Sequence, residues 1–155
     1  MAAKTFKAMI AETLLQIQEL FPWDIEEFLQ QSPETLIVDI REPEEVASGA
    51  IKDSLHVPRG ILESACDWGY SDTVPELVKS RDKPVILVCR SGNRSAMSAL
   101  TLQLMGYSQV YSLKTGIRGW NDDELALYDK AGNQVDVDLT EELLSPEVRA
   151  EQLGP

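Results

Sequence analysis

Cys89 closes the most apolar run of the chain, Val85-Ile86-Leu87-Val88, and the polar stretch Arg90-Ser91-Gly92-Asn93-Arg94 follows it directly. A cysteine beyond the carboxyl end of a buried strand, on a loop that leads into a helix, sits where open parallel sheets bind ligands. Gly92 permits a left-handed backbone, so Ser91, Asn93 and Arg94 can curl with their N–H groups aimed at one centre above the sulfur. The positive end of a helix expected to begin near Ser95 or Ala96 adds to this field, as do the guanidiniums of Arg90 and Arg94. Such surroundings favour a sulfur anion and attract an anionic partner. The chemistry expected is nucleophilic attack by Cys89 on the electrophilic atom of an anion. Burial as a small hydrophobe is the common fate of cysteine, but it leaves the glycine and the two arginines four positions apart without a reason.

Other residues bear on the same chemistry. Asp39 and Arg41 end an earlier apolar strand and are expected to support the loop as an ion pair at its base, a structural role in preference to substrate contact. Arg59 leaves a second strand and is a candidate addition to the anion site, with a solvated surface position as the alternative. Cys66 is a candidate second thiol that takes sulfur from Cys89, weighed against simple packing beside Trp68. His56, between Leu55 and Val57, reads as a core or strand-edge histidine and not as a base. One histidine and two cysteines 23 positions apart match no metal-ligand spacing, so neither a metal nor a cofactor is expected. The same scarcity of histidine argues against a Ser-His-Asp or Cys-His hydrolase.

The elements that must position these residues alternate. Leu36-Ile37-Val38 and Val85-Ile86-Leu87-Val88 read as strands covered on both faces, with Ser54 to Val57 and Val110 to Leu113 as weaker candidates. Helical spacing appears over Pro43 to Ser48, Val74 to Val78 and Ala96 to Met105, the last closed by Gly106. The class is therefore α/β. Ahead of this core, Phe6, Met9, Ile10, Leu14, Ile17 and Leu20 share one helical face, which predicts an amphipathic helix packed on the core and ended by Pro22. Asp24, with Glu27, is expected to cap a short helix over Ile25 to Gln31. Past Leu125, Leu127-Tyr128, the turn Ala131-Gly132-Asn133 and Gln134 to Val137 suggest a hairpin.

Taken with its neighbours, Cys89-Arg90-Ser91-Gly92-Asn93-Arg94-Ser95 resembles the active-site loop of the single-domain rhodaneses, a family of sulfurtransferases. Val38-Asp39-Ile40-Arg41-Glu42-Pro43-Glu44-Glu45, the stretch from Gly49-Ala50-Ile51 to Val57-Pro58, and Gly116-Ile117-Arg118-Gly119-Trp120 resemble further blocks of that family. Ala50 stands where the family usually has histidine, and Ile117 where it often has a second glycine. The resemblance implies a mainly parallel five-stranded sheet flanked by helices, with Cys89 carrying a persulfide and Arg90, Ser91, Gly92, Asn93, Arg94 and Ser95 holding the substrate. Its limits divide the chain into an N-terminal helix (residues 1–22), a rhodanese-like domain (23–120) and an acidic extension (121–155).

Charge and composition narrow the partners. The formal net charge is −12, which disfavours nucleic acid and anionic membrane surfaces; residues 121–155 hold 10 acids against two bases, leaving the body milder. The longest uninterrupted apolar run, Val85–Cys89, is far short of the roughly 20 residues of a membrane helix. Two cysteines and no leader pattern at the N-terminus point to a reducing cytoplasm. The expected partners are a small sulfur-containing anion or persulfide donor and a thiol or sulfur-carrier protein acceptor. The competing readings are a Cys-based phosphatase or arsenate reductase on the same fold, and a binding module without catalysis. Phosphatase loops place five residues between cysteine and arginine, whereas four separate Cys89 from Arg94. The binding module is usually marked by loss of the cysteine.

Overall fold

The computed structural model describes residues 1–155. In chain order the strands are β1 (Gln18–Leu20), β2 (Leu36–Asp39), β3 (Leu55–His56), β4 (Pro84–Val88) and β5 (Gln109–Leu113). The helices are α1 (Phe6–Leu14), α2 (Ile25–Gln31), α3 (Pro43–Ala47), α4 (Leu62–Ala65), α5 (Pro75–Val78), α6 (Asn93–Leu104), α7 (Gly116–Asp122) and α8 (Val137–Leu144). All five strands form one parallel sheet in the order β1-β5-β4-β2-β3. Every residue of β2 and β4 is buried, as continuously apolar strands must be when helices cover both faces.

Alternation along these strands divides the core. Val38, Ile40, Leu87 and Cys89 face Leu62, Ala99 and Leu102. Ile37, Ile86 and Val88 face Ile25, Ile117, Leu127 and Leu144 on the opposite side. Each fully buried Leu, Ile or Val contributes about 1.5–3 kcal/mol of transfer free energy, so the central strands anchor the site loop at their carboxyl ends. No helix is long and apolar enough to cross a membrane.

Away from the Cys89 loop, three boundaries differ from the sequence expectation. The first helix stops at Leu14, and Gln18–Leu20 pairs with Tyr111–Leu113 as the edge strand. Ile17 and Leu20 fit either a helical or an extended pattern, and pairing with β5 decides between them. On α1, Thr13 is buried while Phe6, Met9 and Leu14 remain exposed, so the packed face is rotated from the apolar stripe. Asp24 caps a 3-10 turn over Pro22–Asp24, not α2: its Oδ2 accepts from the Phe21 amide, and its own backbone is already helical. Near the C-terminus Tyr128 lies antiparallel to Gln134, but Val137 opens α8 because the Asp136 carboxylate accepts from the amides of Asp138 and Leu139. Ala50 and Tyr128 also exchange both backbone hydrogen bonds, each 2.9 Å.

Candidate active site

Gly92 takes φ 96° and ends the loop, and α6 begins at Asn93, two to three residues earlier than expected. This start brings the helix N-terminus against the cysteine. The amide N–H of Gly92 donates to Cys89 Sγ at 3.1 Å and that of Ser95 at 3.3 Å, while Ser95 Oγ lies 3.3 Å from the same sulfur. Sγ therefore lies among backbone dipoles at the positive end of a 12-residue helix, a setting that stabilises negative charge on it.

The loop is held from the side by the turn between β5 and α7. Ile117 N–H donates to the Cys89 carbonyl and Arg118 N–H to that of Arg90, both at 2.9 Å. Gly116 makes this approach possible: a Cβ there would lie 2.5 Å from the Cys89 carbonyl oxygen. Thr115 and Gly116 have φ of 66° and 63°, so the left-handed pair falls on these two residues. Ile117, named above at the place of a second glycine, is instead a fully buried core residue. At the end of β2, Asp39 and Arg41 pair at 2.8 Å with both side chains 1% exposed; Arg41 donates further to the carbonyls of Glu45 and Gly49, and neither side chain hydrogen-bonds to the Cys89 loop. His56 Nε2 lies 2.7 Å from the Arg41 carbonyl, which has only lone pairs to offer, so this nitrogen carries the proton.

The arginines are placed differently from one another. Arg94 donates both terminal nitrogens to Glu45 on α3, at 2.9 and 2.8 Å. Arg90 lines a cleft of about 170 Å³ with Arg41, Glu44, Glu45, Ser48, Leu143 and Leu144, so α8 forms one wall beside the loop. Ser91 is exposed, and Asn93 is half-buried in the first turn of α6. Arg59 pairs with Glu63 one helical turn on and makes no hydrogen bond to the Cys89 loop. Cys66 is fully buried in the core cluster that also holds Tyr107, whose hydroxyl donates to the Leu77 carbonyl; Trp68, the expected neighbour of Cys66, is exposed. Burial pushes the Cys66 thiol above its ordinary value, which suits packing and not attack. No group of three His, Cys, Asp or Glu side chains is gathered as metal ligands require.

Sequence reasoning assigned no role to Glu45, Ser112 or Gly116. Glu45 lies inside the Glu42-Pro43-Glu44-Glu45 stretch, and nothing local to it announces Arg94. Burial opposes charge on Glu45, but the hydrogen bonds from Arg94 and the Glu42 amide, with the charges of Arg94 and Arg41, outweigh it and hold the carboxyl below its usual value. The pair's contribution to stability is therefore complete above the ordinary glutamate value and declines as pH falls through the lower folded one. Thermal melts of the parent and Glu45→Gln chains are predicted to differ most near neutral pH and to converge in acid. A gap independent of pH would show that the Glu45 charge is not what the fold uses.

Comparison with known proteins places these features. A model of the rhodanese-like domain matches residues 24–123. A sulfurtransferase of Allochromatium vinosum is 33% identical over 67% of this chain and 88% of its own. Three further curated relatives are matched over 61–64% of their own length. A solved protein of unknown function from Rhodopseudomonas palustris, described as a possible tyrosine phosphatase, superposes with a TM-score of 0.72 at 32% identity, covering 82% of this chain and 96% of that one. The polysulfide-sulfur transferase homodimer of Wolinella succinogenes superposes at 0.62 with 28% identity, covering 81% and 88%.

Proposed function

The chain belongs to the rhodanese-like domain family, and from that premise we propose that it is a sulfurtransferase working through a persulfide on Cys89. In the first half-reaction the Cys89 thiolate attacks the sulfane sulfur of a donor such as thiosulfate. A new S–S bond forms, the donor's S–S bond breaks, and sulfite leaves with the electron pair. In the second, an acceptor thiolate attacks the outer sulfur and Cys89 departs as thiolate. The observation that carries this reading is the pair of amide N–H donors on Sγ, from Gly92 and Ser95. They stabilise negative charge on the sulfur whether it attacks or leaves.

The same geometry weighs against phosphoryl transfer, the reading attached to the Rhodopseudomonas palustris protein. A phosphatase needs a guanidinium on the equatorial oxygens of the transferred group, and Arg94 is both one position short in the loop and bound at two points by Glu45. The substrate-binding set in this reading is the loop from Arg90 to Ser95, with Asp39 and Arg41 supporting its base. The catalytic unit is residues 23–120, to which β1 adds an edge strand and α8 a wall. Chemistry at a free thiolate fits a reducing cytoplasm.

Exposure of the protein to thiosulfate, polysulfide or glutathione persulfide, followed by intact-mass measurement, is expected to add the mass of one sulfur atom at Cys89. Aryl-phosphate hydrolysis is expected at background. No mass gain with any donor, together with Cys89-dependent phosphatase turnover, would transfer the assignment to the phosphatases.

A further inference from the structure

Ser112 is fully buried in β5 on the face that meets α6, and its hydroxyl oxygen lies 2.7 Å from Ser95 Oγ, its sole side-chain hydrogen-bond partner. Ser95 Oγ has two more neighbours, the Gly92 carbonyl at 3.2 Å and Cys89 Sγ at 3.3 Å. Counting hydrogens decides the directions. The Ser112 O–H has one acceptor in reach, and if Ser95 donated to Ser112 that buried O–H would be left unmade, at full desolvation cost. Ser112 therefore donates to Ser95. The Ser95 hydrogen is then left with two targets, the Gly92 carbonyl and the sulfur.

We propose that Ser112 is a positioning residue for the reacting sulfur: by donating to Ser95 Oγ it aims the Ser95 hydroxyl hydrogen at Cys89. With a neutral thiol, S–H donates to Ser95 and Ser95 donates to the Gly92 carbonyl. With a thiolate or a departing sulfur anion, the Ser95 hydrogen turns to Sγ and becomes a third donor beside the two amides, its oxygen still polarised by Ser112. The inference rests on the sulfurtransferase reading for its purpose but not for its geometry. The charged groups on the elements around Cys89 are Arg90 of its own loop, Arg94 on α6, Asp39 and Arg41 at the end of β2, Glu44 and Glu45 on α3, and Arg118 and Asp122 on α7. None of them hydrogen-bonds to the Ser112 side chain, so a change at Ser112 leaves their field in place.

The test is the rate of Cys89 alkylation by iodoacetamide against pH, measured in a Cys66→Ala background with mass mapping used to confirm the site. Ser112→Ala is expected to raise the midpoint by about half to one pH unit, a roughly three- to tenfold loss of thiolate on the rising limb. Ser112→Thr, which keeps the hydroxyl, is expected to retain the parent profile. In a Ser95→Ala background the added Ser112→Ala change is expected to move nothing, because the relay has already lost its middle member. An unshifted Ser112→Ala midpoint, a Thr variant displaced as far as Ala, or an undiminished shift in the Ser95→Ala background would each overturn the relay. These outcomes do not depend on sulfur loading: if no donor adds sulfur to the parent protein, the sulfurtransferase reading fails while the alkylation profiles still decide the relay.

Discussion

Replacing Cys89 by serine is expected to lower sulfur transfer from thiosulfate to cyanide or a thiol by about a thousandfold or more, with the fold unchanged. Serine nearly matches cysteine in shape, and its hydroxyl can accept the amide hydrogens of Gly92 and Ser95 that now reach Sγ. The melting temperature should therefore stay close to that of the parent. What disappears is a thiol, whose thiolate is the nucleophile and whose sulfur is polarisable enough to hold a transferable sulfur. Steady-state turnover measured beside a thermal melt checks both halves. Turnover within tenfold of the parent in a folded serine variant would sink the persulfide mechanism, because no other thiol lies on the loop.

The largest expected effect on stability comes from Asp39→Ala. Arg41 is 1% exposed, and the substitution removes the carboxylate that receives its Nε and one terminal nitrogen. An unpaired buried guanidinium costs about 3–5 kcal/mol, a large part of the roughly 5–15 kcal/mol that holds a domain together. A fall of roughly 10 °C in melting temperature follows for a chain of this size. Sulfur transfer should weaken as well, since Arg41 also holds the Glu45 and Gly49 carbonyls, and Glu45 in turn holds Arg94. Asp39→Ala/Arg41→Leu removes both charges and should recover part of the lost stability, though the Gly49 carbonyl loses its donor while that of Glu45 keeps the Ser48 amide and hydroxyl. If the single variant melts within about 2 °C of the parent, the ion pair does not hold the base of the loop.

The N-terminal segment shows how a clear local pattern can still mislead. Phe6, Met9, Ile10, Leu14, Ile17 and Leu20 form a helical stripe on paper, yet the chain leaves the helix after Leu14 and extends to pair Gln18–Leu20 with β5. An exposed edge of β5 offers a row of unpaired backbone groups, and satisfying them outweighs one more helical turn. Residues set apart from the domain by resemblance thus supply its fifth strand.

The sequence by itself determined what depends on contiguous residues. The continuous apolar runs of β2 and β4 specify two strands buried on both faces, and Cys89 to Ser95 carries the proposed nucleophile, the glycine and the helix start in one uninterrupted stretch. Asp39 and Arg41, two positions apart at a strand end, reach one another without help from the rest of the fold. Tertiary structure alone decided the contacts between distant segments. Arg94 meets Glu45 across 49 positions and Ser95 meets Ser112 across 17, while Gly116 brings α7 onto the Cys89 carbonyl. These contacts follow from the parallel register of β2, β4 and β5 and from where their crossovers land. A lone glutamate, serine or glycine has no local periodicity from which its distant partner could be inferred; the sheet brings the partners together, and burial then obliges each polar group to use the one it meets.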